Sequence, residues 1–211
     1  MEERNQLPGE TLNDIKHLMK RSSRFISLSG LSGVAAGICA LAGAKIAEGM
    51  VKEVEQGDSY VPFRSESSDW LTLKLTGVGA IVFVAALLLS FTLTLRRAKK
   101  LNLPVWDYTS RRLLVNIMVP LITGGLFIAG MLNYGEWRFV APACLVFYGL
   151  ALINGSKYTL TDIRYLGYLE IMLGIANMWW LGYGLLFWAI GFGVLHIVYG
   201  VVMWWKYERK S

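Results

Sequence analysis

Little in this chain is suited to chemistry. It has two cysteines and two histidines in 211 residues, and 15 acidic side chains against 21 Lys and Arg. Cys39 and Cys144 lie in separate apolar runs with no Cys-x-x-Cys pair and no nearby His. Disulfide frameworks, zinc sites and thiol redox motifs are therefore not indicated, and both read as small packing residues. With His17 as the only other histidine, a bis-histidine haem site is not indicated either. There is no Gly-rich phosphate loop, no His-Glu-x-x-His and no nucleophile elbow. The sequence points to no enzyme and implies no cofactor or metal.

What is present is long apolar runs ended by charge, in a chain that is 55% hydrophobic and 17% charged. The runs are 25–46, 71–95, 113–132, 137–155, 165–182 and 185–205. A bilayer core needs about 20 apolar residues per helix. Because lipid cannot satisfy a backbone amide, such runs are read as helices. The expected fold is an all-α integral membrane protein with six transmembrane helices.

The net charge of +6 would suggest nucleic acid in a soluble protein, but its distribution follows the spans instead. Basic residues crowd the start of span one (Arg4, Lys16, Lys20, Arg21, Arg24), the loop between spans two and three (Arg96, Arg97, Lys99, Lys100, Arg111, Arg112), the loop between four and five (Lys157, Arg164) and the tail (Lys206, Arg209, Lys210). Only Lys45, Lys52, Arg64, Lys74 and Arg138 fall on the other side. The positive-inside rule then places both termini in the cytoplasm, with the protein in the inner membrane. Trp70, Trp137, Trp179 and Trp180 near the outer ends, and Trp106, Trp204 and Trp205 near the inner ends, form the expected aromatic belts. The partner implied is the lipid bilayer, together with a second copy or another membrane protein, and not nucleic acid.

Three regions follow: a cytoplasmic segment 1–24, a membrane domain 25–205 with an acidic external loop 47–70, and a basic tail 206–211. In the first, Thr11-Leu12-Asn13-Asp14 resembles a capping box, followed by Leu12, Ile15, Leu18 and Met19 at helical spacing. This predicts a short amphipathic interfacial helix; a docking helix for a cytoplasmic partner is the alternative. Ala42-Gly43-Ala44 resembles a cleavage site, but the run before it exceeds the usual signal-peptide core of about 7–15 residues and follows 24 polar residues, so span one is read as retained. Glu48, Glu53, Glu55, Asp58, Glu66 and Asp69 in the loop lack calcium-loop spacing and read as a solvated acidic surface.

The spans group as hairpins. The second opens at Arg112 and closes with Tyr148-Gly149 and Lys157-Tyr158; the third opens at Arg164 and closes with Tyr199-Gly200 and Lys206-Tyr207. Arg24 to Lys100 reads as a diverged first copy. Three tandem hairpins with an opening Arg (Arg24, Arg112, Arg164) and Gly-rich helices, best seen from Arg164 to Lys206 with Leu173-Gly174 and Tyr199-Gly200, resemble the HdeD-type acid-resistance membrane protein family. The resemblance implies a small, non-enzymatic inner-membrane protein linked to stress, and it carries over no functional residue. The long loop 47–70 departs from that pattern.

Helices associate in lipid through small residues and interhelical hydrogen bonds. Ser29, Gly33 and Gly37 form one stripe on span one, with Ala36, Ala40 and Ala44 beside it. This suits a helix held between two others, or a dimer interface. Pro120 and Pro142 interrupt spans three and four, and a kink at Pro120 frees a carbonyl that a polar neighbour must satisfy. Two ionisable residues, Glu170 and His196, lie deep in apolar runs. Gly167, Glu170, Gly174 and Asn177 share a stripe of span five, as Ala189, Gly193, His196 and Gly200 do on span six. A carboxylate at the bilayer centre costs at least ~2.5–3.5 kcal/mol unless paired or protonated. Glu170, His196, Asn177 and Asn116 are therefore the candidate polar site. Either they accept protons in a transporter or channel, with Thr123 adding to a sparse path, or they pin helices together. The leading expectation is a protein acting through interaction, as an accessory, scaffold or stress-related component.

Overall fold

The computed structural model describes residues 29–56, 66–102 and 106–209. The expected interfacial helix in 1–24 lies outside them. All regular structure among the described residues is helical: α1 (Gly30–Gln56), α2 (Glu66–Lys100), α3 (Tyr108–Asn133), α4 (Val140–Gly155), α5 (Ile163–Trp179), α6 (Gly184–Trp188), a π-helical stretch (Ala189–Leu195) and α7 (His196–Tyr207). Two 3-10 turns, Trp137–Phe139 and Leu181–Tyr183, lead into α4 and α6. Five helical stretches are long and apolar enough to cross a membrane: α1, α2, α3, the turn plus α4, and the closing span Leu181–Tyr207. The remaining one, α5, has 17 residues. That is the lower limit for a span, because at 1.5 Å per residue it reaches only about 26 Å of a ~30 Å core.

Two boundaries differ from the sequence expectation. The segment 47–70 is largely helical at its ends, since α1 runs to Gln56 and α2 begins at Glu66. Hydropathy marks where apolar residues stop, not where the helix stops. Past the apolar run, Glu48 holds α1 together through Lys45 (2.9 Å) and Lys52 (2.6 Å), one turn to either side. Pro142 does not interrupt α4 but lies in its first turn, where a missing N–H removes no intrahelical bond. Pro120 does lie inside α3. The carbonyl it orphans, that of Asn116 four residues earlier, accepts a hydrogen bond from Asn154 Nδ2 of α4 at 2.9 Å.

The helices pack by reciprocal glycine contacts. α5 packs chiefly on α4, and the closing span chiefly on α1, rather than on each other. At the first crossing a Cβ on Gly149 would stand 2.6 Å from the Gly167 carbonyl and 3.0 Å from Ile171 N; one on Gly167 would stand 2.8 Å from the Gly149 carbonyl and 3.1 Å from Ile153 N. The second crossing repeats this geometry. A Cβ on Gly30 would stand 2.5 Å from the Gly200 carbonyl, and one on Gly200 would stand 2.6 Å from both the Gly30 carbonyl and Val34 N. Gly33 and Gly37 extend this contact along α1, facing the backbone of α7 and of the π-helical stretch, while Gly43 faces Val82 of α2. α1 is thus held between α2 and the closing span. The outer helices are much barer: 6% of the spanning window of α2 and 11% of that of α3 are buried.

The start of α1, the ends of α2 and α7 and the α4–α5 connection meet on one face. Glu208, just past α7, accepts from the Gly30 amide, from Ser29 Oγ (3.3 Å) and from Arg97 Nη1 (2.9 Å). Asp162 accepts from Lys206 Nζ (2.5 Å) and from Tyr207 Oη (2.9 Å). Beneath these contacts Leu160, Ile163 and Met203 form a buried apolar cluster.

Candidate functional site

Glu170 and His196 meet. The glycine face of α5 brings the helix close enough to α4 to bury Glu170 completely. The same face seats Gly174 against the Pro142 carbonyl (2.9 Å) and Leu145 Cβ (3.0 Å). His196, 6% exposed, starts α7 directly after the π-helical stretch. Its Nδ1 stands 3.4 Å from Glu170 Oε1 and 3.0 Å from the Gly191 carbonyl. Its Nε2 stands 2.7 Å from the hydroxyl of Tyr148 on α4. Three elements thus converge on one imidazole.

The π-helical stretch explains this placement. Its wider turn carries Gly191 and Gly193, and Gly191 lies against both Leu145 and Glu170; a Cβ there would stand 2.5 Å from Glu170 Oε2. A larger residue there would push the Glu170 carboxyl group and the Leu145 methyl aside. Gly193 faces Leu41 of α1, 2.7 Å from its Cγ to a Cβ placed there. Insertions of this kind in a helix often mark functional positions.

The partners constrain protonation. A carbonyl can only accept, so His196 Nδ1 carries a proton and donates it to Gly191. In the neutral ring Nε2 then accepts from the Tyr148 hydroxyl; a second proton on Nε2 would reverse that bond. Tyr148, Phe192 and His196 pack ring to ring, with centroids 5.1–6.0 Å apart, so the pair is enclosed by apolar surface. Both carboxyl oxygens of Glu170 are buried with no hydrogen-bond partner, which is uncommon for a native structure. Two proton arrangements balance charge in such an enclosure: neutral acid with neutral imidazole, or carboxylate with imidazolium.

The other expected site residues lie apart from this pair. Asn177, fully buried on α5, donates Nδ2 to the Trp180 carbonyl at 2.9 Å and closes the end of its own helix, while its Oδ1 has no partner. Asn116 donates to the Arg112 carbonyl at 2.8 Å, and Thr123 lines a groove between α3 and α4. Sequence reasoning missed Tyr148 and Gly191 as members of the site. The Tyr148-Gly149 repeat singled out the tyrosine without assigning it a partner. The Gly191–His196 contact spans five residues, one more than α-helical periodicity anticipates. No family model, no curated protein and no solved structure matches the chain.

Proposed function

We propose that this is a non-enzymatic inner-membrane protein, with both termini cytoplasmic, that works through interaction: as an accessory or scaffold component that associates with itself or with another membrane protein. The observation that carries this reading is the contrast between a sealed centre and bare outer helices. Glu170 is 0% exposed, and Asn116 and Thr123 face a different seam, so a polar path through several helices is not supported. α2 and α3 present long apolar faces, including Ile81 (71% exposed) and Leu126 (71% exposed), open to lipid, a second copy or another membrane protein alike. The resemblance of the tandem hairpins to the HdeD-type family agrees with a non-enzymatic, stress-linked role. In mild detergent the protein is expected to elute as an oligomer or with a partner. A monomer by light scattering, with nothing recovered by crosslinking in native membranes, would overturn the proposal.

A second reading is favoured by one specific observation, the unpartnered carboxyl oxygens of Glu170. A buried acid without hydrogen bonds contributes little to stability, and intramembrane acids are functional by default. In this reading Glu170 and His196 exchange protons as a proton-linked transport or sensing pair. Glu170→Gln and Glu170→Leu separate the two.

A further inference from the structure

We propose that the seam between α3 and α4 holds one anionic phospholipid, its acyl chain in the lateral groove and its phosphate between Arg112 and Lys157. The groove has a volume of about 360 Å³ and is lined by Pro120, Thr123, Phe147, Leu150, Ile153 and Asn154. It opens sideways: Thr123 is exposed and Leu150 is 42% exposed. Its lining is apolar except for Thr123 and Asn154, which suits a hydrocarbon chain. The cause of the groove is local, since Pro120 interrupts the α3 ladder there.

A ladder of hydrogen bonds joins α3 to α4 beneath the groove and holds the Lys157 ammonium on the seam. Lys157 Nζ donates to Asn154 Oδ1 (3.2 Å), Asn154 Nδ2 to the Asn116 carbonyl (2.9 Å), and Asn116 Nδ2 to the Arg112 carbonyl (2.8 Å). Below the groove Gly155 closes α4 onto Leu113 and Ile117 of α3, with Arg112, its guanidinium over the Tyr108 ring (4.9 Å), on the α3 side and Lys157 on the α4 side. Lys157 follows the last lining residue, Asn154, by three positions, roughly 5 Å along the axis. That offset places its ammonium at headgroup depth when the groove lies in the hydrocarbon. Arg112 and Lys157 are both exposed, and neither forms an ion pair among the described residues. Basic mouths between transmembrane helices select anionic headgroups. Both phosphatidylglycerol and phosphatidylethanolamine offer a phosphate, but the ammonium of the latter is repelled by an arginine–lysine pair, which leaves the anionic lipid favoured.

Native mass spectrometry of the full chain in mild detergent tests this, with phosphatidylglycerol and phosphatidylethanolamine supplied in equal amounts. One phosphatidylglycerol is expected to remain bound in preference to phosphatidylethanolamine. R112Q or K157Q should weaken its retention about fivefold and the double variant about thirtyfold, from the attraction of each basic side chain for an anionic surface. T123F, which fills the open lip and leaves both charges, should abolish retention. L150W does the same from the α4 side should T123F fold poorly. K99Q/K100Q, which removes charge at the end of α2, outside this groove, should change nothing. Equal retention of both lipids, survival of binding in both groove-filled variants, or equal loss in K99Q/K100Q would overturn the proposal.

Discussion

Glu170 and Asn154 are both polar side chains in apolar surroundings, yet they stand in opposite relations to their neighbours. Asn154 satisfies a carbonyl that Pro120 leaves bare, so its reason for being there is structural. Glu170 accepts no hydrogen bond: it stands 3.4 Å from His196 Nδ1, which already has the Gly191 carbonyl, while Nε2 has Tyr148. An acid that makes no hydrogen bond has none to lose when an apolar group of similar volume replaces it, and His196 keeps its bonds to Gly191 and Tyr148. Glu170→Leu is therefore expected to melt within about 1 kcal/mol of wild type, or above it, in detergent. Glu170→Gln should keep the fold and abolish any proton-dependent readout, such as pH-dependent crosslinking to a partner or proton uptake in vesicles. A loss on the order of 1–2 kcal/mol or more in the Leu variant, with Gln unaffected, would instead show that Glu170 donates a hydrogen bond that ties helices together. Burial at this position was legible in the sequence from the flanking Gly167 and Gly174. The absence of partners was not, because it depends on a π-helical turn that redirects Gly191.

The closing span is tied at its basic end to two different neighbours. One tie is Asp162, at the start of α5, which accepts from Lys206 and Tyr207. The Lys206 hydrogen bond, followed by that of Tyr207 and the charges of Lys206 and Arg164, holds the Asp162 carboxyl below the usual carboxylate range, against the opposing effect of partial burial. The folded protein thus binds the Asp162 proton less readily than the unfolded chain does. The stabilisation is complete above the unfolded value of about 3.9 and is lost as pH falls through the lower folded value. Melting in detergent should accordingly be insensitive to this group between pH 7 and 5 and decline below about pH 4. Asp162→Asn should remove that acid limb while lowering the neutral-pH stability by about 1 kcal/mol or less, because Lys206 is exposed. An unchanged acid limb in D162N would mean that Asp162 does not link the two elements. The sequence places Asp162 and Lys206 at the same membrane edge but does not pair them. Their separation of 44 residues is closed only by the packing of α7 beside the α4–α5 connection.

The two glycine crossings, α4 with α5 and α7 with α1, have the same construction, backbone against backbone. That Gly149 and Gly200 are contact positions was legible in sequence from the Tyr-Gly punctuation. Which helices they join was not, because it depends on which glycine faces meet. Gly149 and Gly200 were visible as repeat positions, yet nothing local says that Gly200 finds Gly30 across 170 residues of chain. The first and last spans therefore lean on each other, and Glu208 seals that contact by joining the start of α1, the end of α2 and the residue after α7. Its carboxylate is 14% exposed and its Arg97 partner 11%, so it acts where water competes poorly. Glu208→Ala removes both the cap on the Gly30 amide and a charge-assisted hydrogen bond, a loss of about 2 kcal/mol. Amides of residues 30–34 and the last turn of α2 should then exchange with solvent faster, while those around the Gly149–Gly167 crossing keep their protection. Glu208→Gln, which still accepts from the amide, should restore part of the difference. Equal exchange in Glu208→Ala and wild type at residues 30–34 would show that the glycine crossing alone holds the first span to the last. A uniform increase across both crossings would show instead that the two halves of the bundle unfold as one unit.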